Sequence, residues 1–322
     1  MRSIPSHRFV CSVLLFLGPL GASLPAGTET YRFKEAWGYL MKGEEKHFTG
    51  GEPLTDIAYF SARLNAIGRL DGKILPPKLP GPKRRIHLVI SAAASPTLMY
   101  FCLSRNPTTR AGLIGDILRL AEPFDGVQID FEAMRPQEKA PYISFLAELN
   151  RKLPRRKILS VAVPARTKLE KDAFSYAGIA AVVDKVLVMA YDEHWRSGEA
   201  GAIASAQWCR RVCAFARQQI PLQKLVMGLP LYGRVWQKEP VARALKYPQT
   251  LQLWEQKKTV LKRLSDDTPY FEYRTTVTAA VYFEDVKSLT RKLSLYQQAG
   301  VRAVGFWRIG QGPAELWRVL SN

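Results

Sequence analysis

Eight short apolar runs recur along this chain with room for a helix between most neighbours, and that rhythm constrains the fold more than any other feature. The runs fall at 36–40, 56–61, 86–93, 126–132, 158–163, 185–191, 224–229 and 301–307. Most are nearly unbroken rather than strictly alternating, as expected of parallel strands covered by helices on one side and packed on the other. Amphipathic stretches lie between them at 109–120, 138–153, 170–182, 202–218 and 285–298, with Asp285 placed to cap the last and Gly300 to end it. Strands alternating with helices build right-handed βαβ units, and eight such units close into an α/β fold, the (β/α)8 TIM barrel. A chain of 322 residues holds one barrel of roughly 250 residues with an insertion.

Two places break the rhythm. Residues 64–85 carry Pro76-Pro77-Lys78-Leu79-Pro80-Gly81-Pro82-Lys83, which forbids a regular helix there. Residues from about 237 to 283 are too many for a loop and include a strand-like stretch at 270–277. They predict a small α+β insertion between the seventh and eighth strands, on the rim where barrel enzymes place their chemistry.

Residues 1–26 read as a secretory signal peptide. Arg2, His7 and Arg8 make a basic start, residues 9–17 an apolar run, and Gly21, Ala22, Ser23 and Ala26 offer cleavage points. The alternative is an uncleaved anchor, but the run falls short of the ~20 apolar residues that span a bilayer. An exported protein, periplasmic or secreted, follows, with the barrel occupying 27–322. The formal charge of +19, which becomes +17 without Arg2 and Arg8, attracts polyanions and says nothing about fold. No motif supports nucleic acid as that partner, and the basic run 152–157 reads as a solvated face. Beyond the leader, Cys102, Cys209 and Cys213 remain. Cys209 and Cys213 stand one helical turn apart, a poor disulfide geometry with no zinc set nearby, so they read as small buried hydrophobes. No phosphate-binding glycine loop or ligand cluster calls for a cofactor or a metal.

The chemistry concentrates in Phe124-Asp-Gly-Val-Gln-Ile-Asp-Phe-Glu132. Along a strand Gln128, Asp130 and Glu132 share one face, while Val127, Ile129 and Phe131 share the other. Inside a barrel the polar set faces the axis, and Glu132 falls at the carboxyl end of the strand, where such enzymes act. Two carboxylates so close repel, so one tends to keep its proton at neutral pH. A protonated carboxyl beside an ionised one can break a glycosidic bond; the alternative is a solvated strand end with two ordinary acids. Asp125 has the opposite parity and reads as structural. His47, His87 and His194 are scattered, and His194, after the sixth strand, reads as a satisfied surface residue.

Asp125-Gly-Val-Gln-Ile-Asp-Phe-Glu132 resembles the signature strand of glycoside hydrolase family 18, the chitinase-like hydrolases, whose usual form is Asp-Gly-x-Asp-x-Asp-x-Glu. Val188-Met-Ala-Tyr-Asp192 is similar to that family's sixth strand, and Lys224-Leu-Val-Met-Gly-Leu-Pro-Leu-Tyr-Gly-Arg234 to its seventh. Tyr282-Phe-Glu-Asp-Val-Lys-Ser-Leu289 and Ala303-Val-Gly-Phe-Trp307 resemble its last helix and eighth strand, so the ordered set covers about 35–317. The resemblance implies that Glu132 protonates the glycosidic oxygen while the substrate's own N-acetyl oxygen attacks, giving an oxazolinium intermediate and retained configuration. It further implies that Asp130 orients the acetamido group and Tyr191 donates a hydrogen bond to the attacking oxygen. Trp307 would be the aromatic floor under the sugar; Asp192, Tyr232 and Arg234 would line the cleft. Tyr39 is a further candidate, with plain core packing as its alternative.

Two departures matter. Gln128 stands where chitinases usually have Asp; an amide can hold Asp130 by hydrogen bonds but cannot carry charge. It is more like the bacterial members that act on peptidoglycan, some of which have Asn there. Ser91-Ala-Ala-Ala94 replaces the family's frequent Ser-x-Gly-Gly, narrowing the backbone's freedom near the site. The resulting expectation is a retaining hydrolase of β-1,4-linked N-acetylglucosamine, with peptidoglycan ahead of chitin as its polymer. The rival class is a non-catalytic, chitinase-like lectin, although such members usually lack the acid that this chain keeps at Glu132.

Overall fold

The computed structural model describes residues 29–92, 96–103, 107–132, 134–237, 243–274 and 278–321. The expected leader, and Ala93 and Ala94 of the altered third-strand motif, lie outside these residues. Seven parallel strands follow one another: β1 (Glu35–Met41), β2 (Asp56–Arg63), β3 (Arg85–Ala92), β4 (Gly126–Phe131), β5 (Ile158–Pro164), β6 (Lys185–Met189) and β7 (Leu225–Pro230). The chain then leaves the barrel for an antiparallel sheet: β8 (Tyr232–Gln237), β9 (Arg243–Lys246), β10 (Lys262–Arg263), β11 (Pro269–Arg274) and β12 (Thr278–Tyr282), in the order β9-β8-β12-β11-β10. It returns as β13 (Ala303–Trp307), which pairs with both β7 and β1 and closes an eight-stranded barrel. The helices are α1 (Pro96–Leu103), α2 (Pro107–Ala121), α3 (Lys139–Lys152), α4 (Tyr176–Val182), α5 (Ala206–Gln219), α6 (Tyr247–Lys257) and α7 (Val286–Gln298). None of those described is long and apolar enough to cross a membrane.

Period-2 alternation along each strand separates two cores. Val127, Ile129 and Phe131 of β4 join the outer one, where Phe131 meets the rings of Tyr142 and Phe145 on α3 at 6.3 and 5.9 Å. Trp37, Tyr39, Ala58, Val89, Leu187 and Val226 fill the barrel's interior. The inserted sheet has a third core of its own, built on Val235, Phe271, Val281 and Phe283. Helix starts follow their caps: Asp285 accepts from the Ser288 amide at 2.8 Å, as its position predicts, and Ser205 accepts from Trp208.

The amino-terminal end of the barrel is sealed by charge. Asp56, the first residue of β2, is fully buried and accepts from Arg85 Nε and Nη2 at 2.7 and 2.8 Å, from Thr55 at 2.6 Å, and pairs with His87 Nε2 at 2.8 Å. Burial alone would raise its pKa, yet the bonds from His87 and Arg85 outweigh burial and hold the carboxyl below its ordinary value. Trp37 packs on the His87 ring at 4.4 Å.

Several local expectations need correcting. An unforeseen helix, α1, follows β3. α4 begins at Tyr176, not near 170, because Asp172 accepts from the Phe174 amide and from Arg166 and so fixes the preceding residues as a loop. The inserted sheet starts at Tyr232, ahead of the expected boundary near 237. Lys157 is not part of a solvated face: its ammonium is buried against the carbonyls of Glu122 and Phe124. Residues 64–84 contain no helix, and Cys102, Cys209 and Cys213 are buried free thiols.

Candidate active site

At the carboxyl-terminal end the barrel opens into a cleft of about 720 Å3, whose lining includes Asp130, Glu132, Tyr191, Asp192, Tyr232 and Trp307. Gln128 and Asp130 point inward from β4, and Glu132 lies just beyond it, its amide donating to the Ala92 carbonyl at 3.0 Å. Trp307 ends β13 and meets Tyr39 and Phe60 edge-on at 4.9 and 5.3 Å. Tyr191 follows β6, and Gly228 on β7 makes space for it. A Cβ at Gly228 would stand 3.0 Å from the tyrosine ring and 2.8 Å from the Val188 carbonyl. The next residue, Asp192, adopts the left-handed backbone at φ 61°, a conformation that non-glycine residues keep mainly where surrounding contacts enforce it. Those contacts are Tyr232, whose hydroxyl donates to its carboxylate, and Arg234, whose Nη2 lies 2.5 Å away. Both come from β8.

Asp130 on β4 and Glu132 just past it sit in a setting that raises the pKa of both. Asp130 is buried, and its Oδ1 has no hydrogen-bond partner. Removal from water, followed by the charge of Glu132, pushes its pKa up to about 8. Glu132 stands exposed at the mouth, yet the walls around its carboxyl raise its pKa too, with Asp192 adding to the shift. Burial therefore leads for both, with Glu132 acting on Asp130 and Asp192 on Glu132, the reverse emphasis from a reading of sequence spacing. The Tyr191 phenol is held well above its ordinary pKa, first by burial, and so keeps its proton to donate.

Gln128 does not hold Asp130. Its Oε1 accepts from the Tyr39 hydroxyl and its Nε2 donates to Ser160 Oγ at 3.3 Å, so both ends of the amide are engaged one layer deeper in the barrel. Tyr39 is thus more than packing: it fixes Gln128, and Asp130 is left unpaired on one oxygen. Asp125 accepts from the Ile86 amide at 2.8 Å, a structural bond, and His194 bonds to the Glu199 carbonyl.

Among the lining residues not singled out from sequence are Phe60, Arg166, Trp208 and Arg308. Arg166 stands two residues beyond β5 and Arg308 one beyond β13, positions that the barrel rule already marks as functional. Arg308 donates to Glu44 at 2.6 Å. Among the described residues no group of three His, Cys, Asp or Glu could hold a metal ion.

A closed parallel barrel with two acids of raised pKa and an aromatic wall at its carboxyl end suits a sugar-cleaving enzyme, and comparison fixes the family. The chain belongs to the glycosyl hydrolases family 18, whose model matches residues 81–312. Among relatives, it is 30% identical over 231 residues to the cortical fragment-lytic enzyme of Bacillus anthracis, covering 67% of this chain and 54% of that one. The rat di-N-acetylchitobiase is 24% identical over 242 residues, covering 63% of this chain and 65% of that protein. The crystal structure of the Bacillus cereus spore cortex-lytic enzyme SleL superposes with a TM-score of 0.79 at 25% identity, over 90% of this chain and 74% of that one. This chain spans about half the length of the first curated relatives it matches.

Proposed function

We propose that this protein is a retaining glycosidase that cleaves β-1,4-linked N-acetylglucosamine in peptidoglycan, with Glu132 as the acid. The observation that carries this reading is the buried, unpartnered oxygen of Asp130 beside Glu132 in an open cleft. Buried polar atoms are rarely left without partners, and one whose residue lines an open cleft is placed to take a partner from a ligand. An acetamido group supplies both a donor and an acceptor. Asp130 takes its N–H or lends its own proton, and the Tyr191 hydroxyl steadies the acetamido oxygen as it attacks the anomeric carbon. Glu132, its pKa raised, delivers a proton to the departing oxygen. Trp307 offers an apolar face to the sugar ring, while Asp192, pinned by Tyr232 and Arg234, keeps negative charge near Glu132. The amide at 128 and the names of the relatives support peptidoglycan over chitin.

Export is part of the same proposal: residues 1–26 direct the chain out of the cytoplasm, and the +17 mature charge holds it against an anionic wall polymer. Peptidoglycan and chitin digested side by side, with products weighed by mass spectrometry, test the reaction. Wild type should release N-acetylglucosamine-ended fragments from peptidoglycan, and Glu132→Gln should slow this by at least ~10² while leaving the thermal transition in place. Undiminished activity in that variant removes Glu132 as the acid. Binding without turnover by wild type would make the protein a lectin.

A further inference from the structure

The cleft does not end at the catalytic pair. Arg166, on the loop after β5, lines it together with Trp208 of α5, and both residues, with Ala165, also line an adjoining recess that runs on past Thr167 and Lys171. A second, smaller recess shares Arg166 and adds Lys139 and Lys168. The trough therefore crosses a threshold made of one guanidinium and one indole into a region with Lys139, Lys168 and Lys171 around it, against Glu170 and the Asp172 that braces Arg166.

Each of the three arginines that line the main cleft pairs with one carboxylate, Arg234 with Asp192, Arg308 with Glu44 and Arg166 with Asp172, and of the three it is Arg166 that also lines the adjoining recesses. The Arg166 guanidinium is braced on one side: Nε and Nη2 meet Asp172 Oδ2 at 2.8 and 2.6 Å, and Nη1 donates to the Ala165 carbonyl at 2.8 Å. Those bonds use three of the five N–H groups of an arginine, leaving one on each terminal nitrogen. A planar fork fixed from behind, with a free N–H on both tips, suits a carboxylate better than a neutral hydroxyl. Trp208, partly exposed beside it, offers the apolar face a sugar ring needs. Neutral N-acetylglucosamine oligomers have no group for such a fork.

Resting on the peptidoglycan reading, we propose that Arg166 is a specificity-determining residue that binds a carboxylate carried by the glycan chain, with Trp208 supporting the sugar that bears it. The carboxylate is either the lactyl group of the sugar itself or an acid of a peptide attached to it. Lys139, Lys168 and Lys171 draw that acidic end of the polymer toward the fork without binding it in a fixed geometry.

Equilibrium binding to the Glu132→Gln protein separates these points. Three ligands are compared: peptide-free glycan with its lactyl carboxylates, the same glycan with carboxyls reduced to alcohols, and glycan retaining its peptides. A charge-assisted fork predicts that the glycan carrying the bound carboxylate, the first or the third, binds ~10-fold or more tightly than the second. Adding Arg166→Gln should erase that ratio, and Arg166→Lys should restore only part of it, since an ammonium supplies charge without the fork. If peptide-bearing glycan alone shows the preference, the peptide acid is the ligand; if the peptide-free glycan shows it, the lactyl group is. Equal affinity of the Glu132→Gln protein for all three glycans overturns the assignment, and needs no second variant to fold. So does an equal loss for both ligands on Arg166→Gln. Failure to bind any of the three glycans would instead sink the peptidoglycan reading on which the assignment rests.

Discussion

Asp56 and Asp130 are the same residue type inside the same barrel, nearly equally hidden at 0% and 5% exposure, yet they titrate in opposite directions. At the closed end, Arg85, His87 and Thr55 saturate Asp56, and its pKa falls below the ordinary value. At the open end Asp130 keeps an oxygen without a partner, and its pKa rises to about 8. Burial does not decide the outcome; the partners do. At the closed end both Asp56 oxygens find their partners within the chain, although His87 Nδ1 behind them has none. The open end leaves a vacancy that a substrate can complete, which is how perturbed acids come to cluster at functional sites.

Breaking the closed end should have the largest effect. Asp56→Ala takes the acceptor from the fully buried His87 and leaves the half-exposed Arg85 only Glu35 at 3.8 Å, and losing one partner of a buried network costs ~3–5 kcal/mol. Urea unfolding should show that loss, and a negligible change in the midpoint would erase the contrast between the two ends. Next, Asp130→Asn should cut glycan cleavage by ~10² or more yet leave the fold intact. Its effect on stability sharpens the comparison through pH. The folded pKa of Asp130, about 8, exceeds that of the unfolded chain, ~3.9. Its contribution to stability is therefore complete below that lower value and drains away as pH rises toward 8. Melting temperatures of Asp130→Asn should decline less than those of wild type between pH 5 and 8, as a matched pair of thermal scans would reveal. Smallest is Tyr39→Phe: it strips Gln128 of the donor to its buried Oε1 and should cost ~1–3 kcal/mol, again by urea titration.

Much of the barrel is legible in the sequence because its strands, buried on both faces, are apolar almost without interruption. Parity alone puts Gln128, Asp130 and Glu132 on one face of β4. What parity cannot reveal is which partner a polar group meets. Asp56 meets Arg85 and His87 because β2 and β3 pair with Asp56 opposite Arg85, and register between strands is not written locally in either one. The same gap hides the bonds from Gln128 to Tyr39 and Ser160, 89 and 32 residues away. It hides the Arg166–Asp172 brace as well, which cut short a helix that amphipathic spacing alone extends to residue 170.

β8 serves two masters along its length. Val235 belongs to the small sheet's own core, while Tyr232 and Arg234, one step out of phase, grip Asp192. Because that core is separate from the barrel's, exchanges at the edge strand β10 can reshape the small sheet without touching the cleft, whereas β8 and β9, which carry Tyr232, Arg234 and Ala244 into its lining, are constrained from both sides at once.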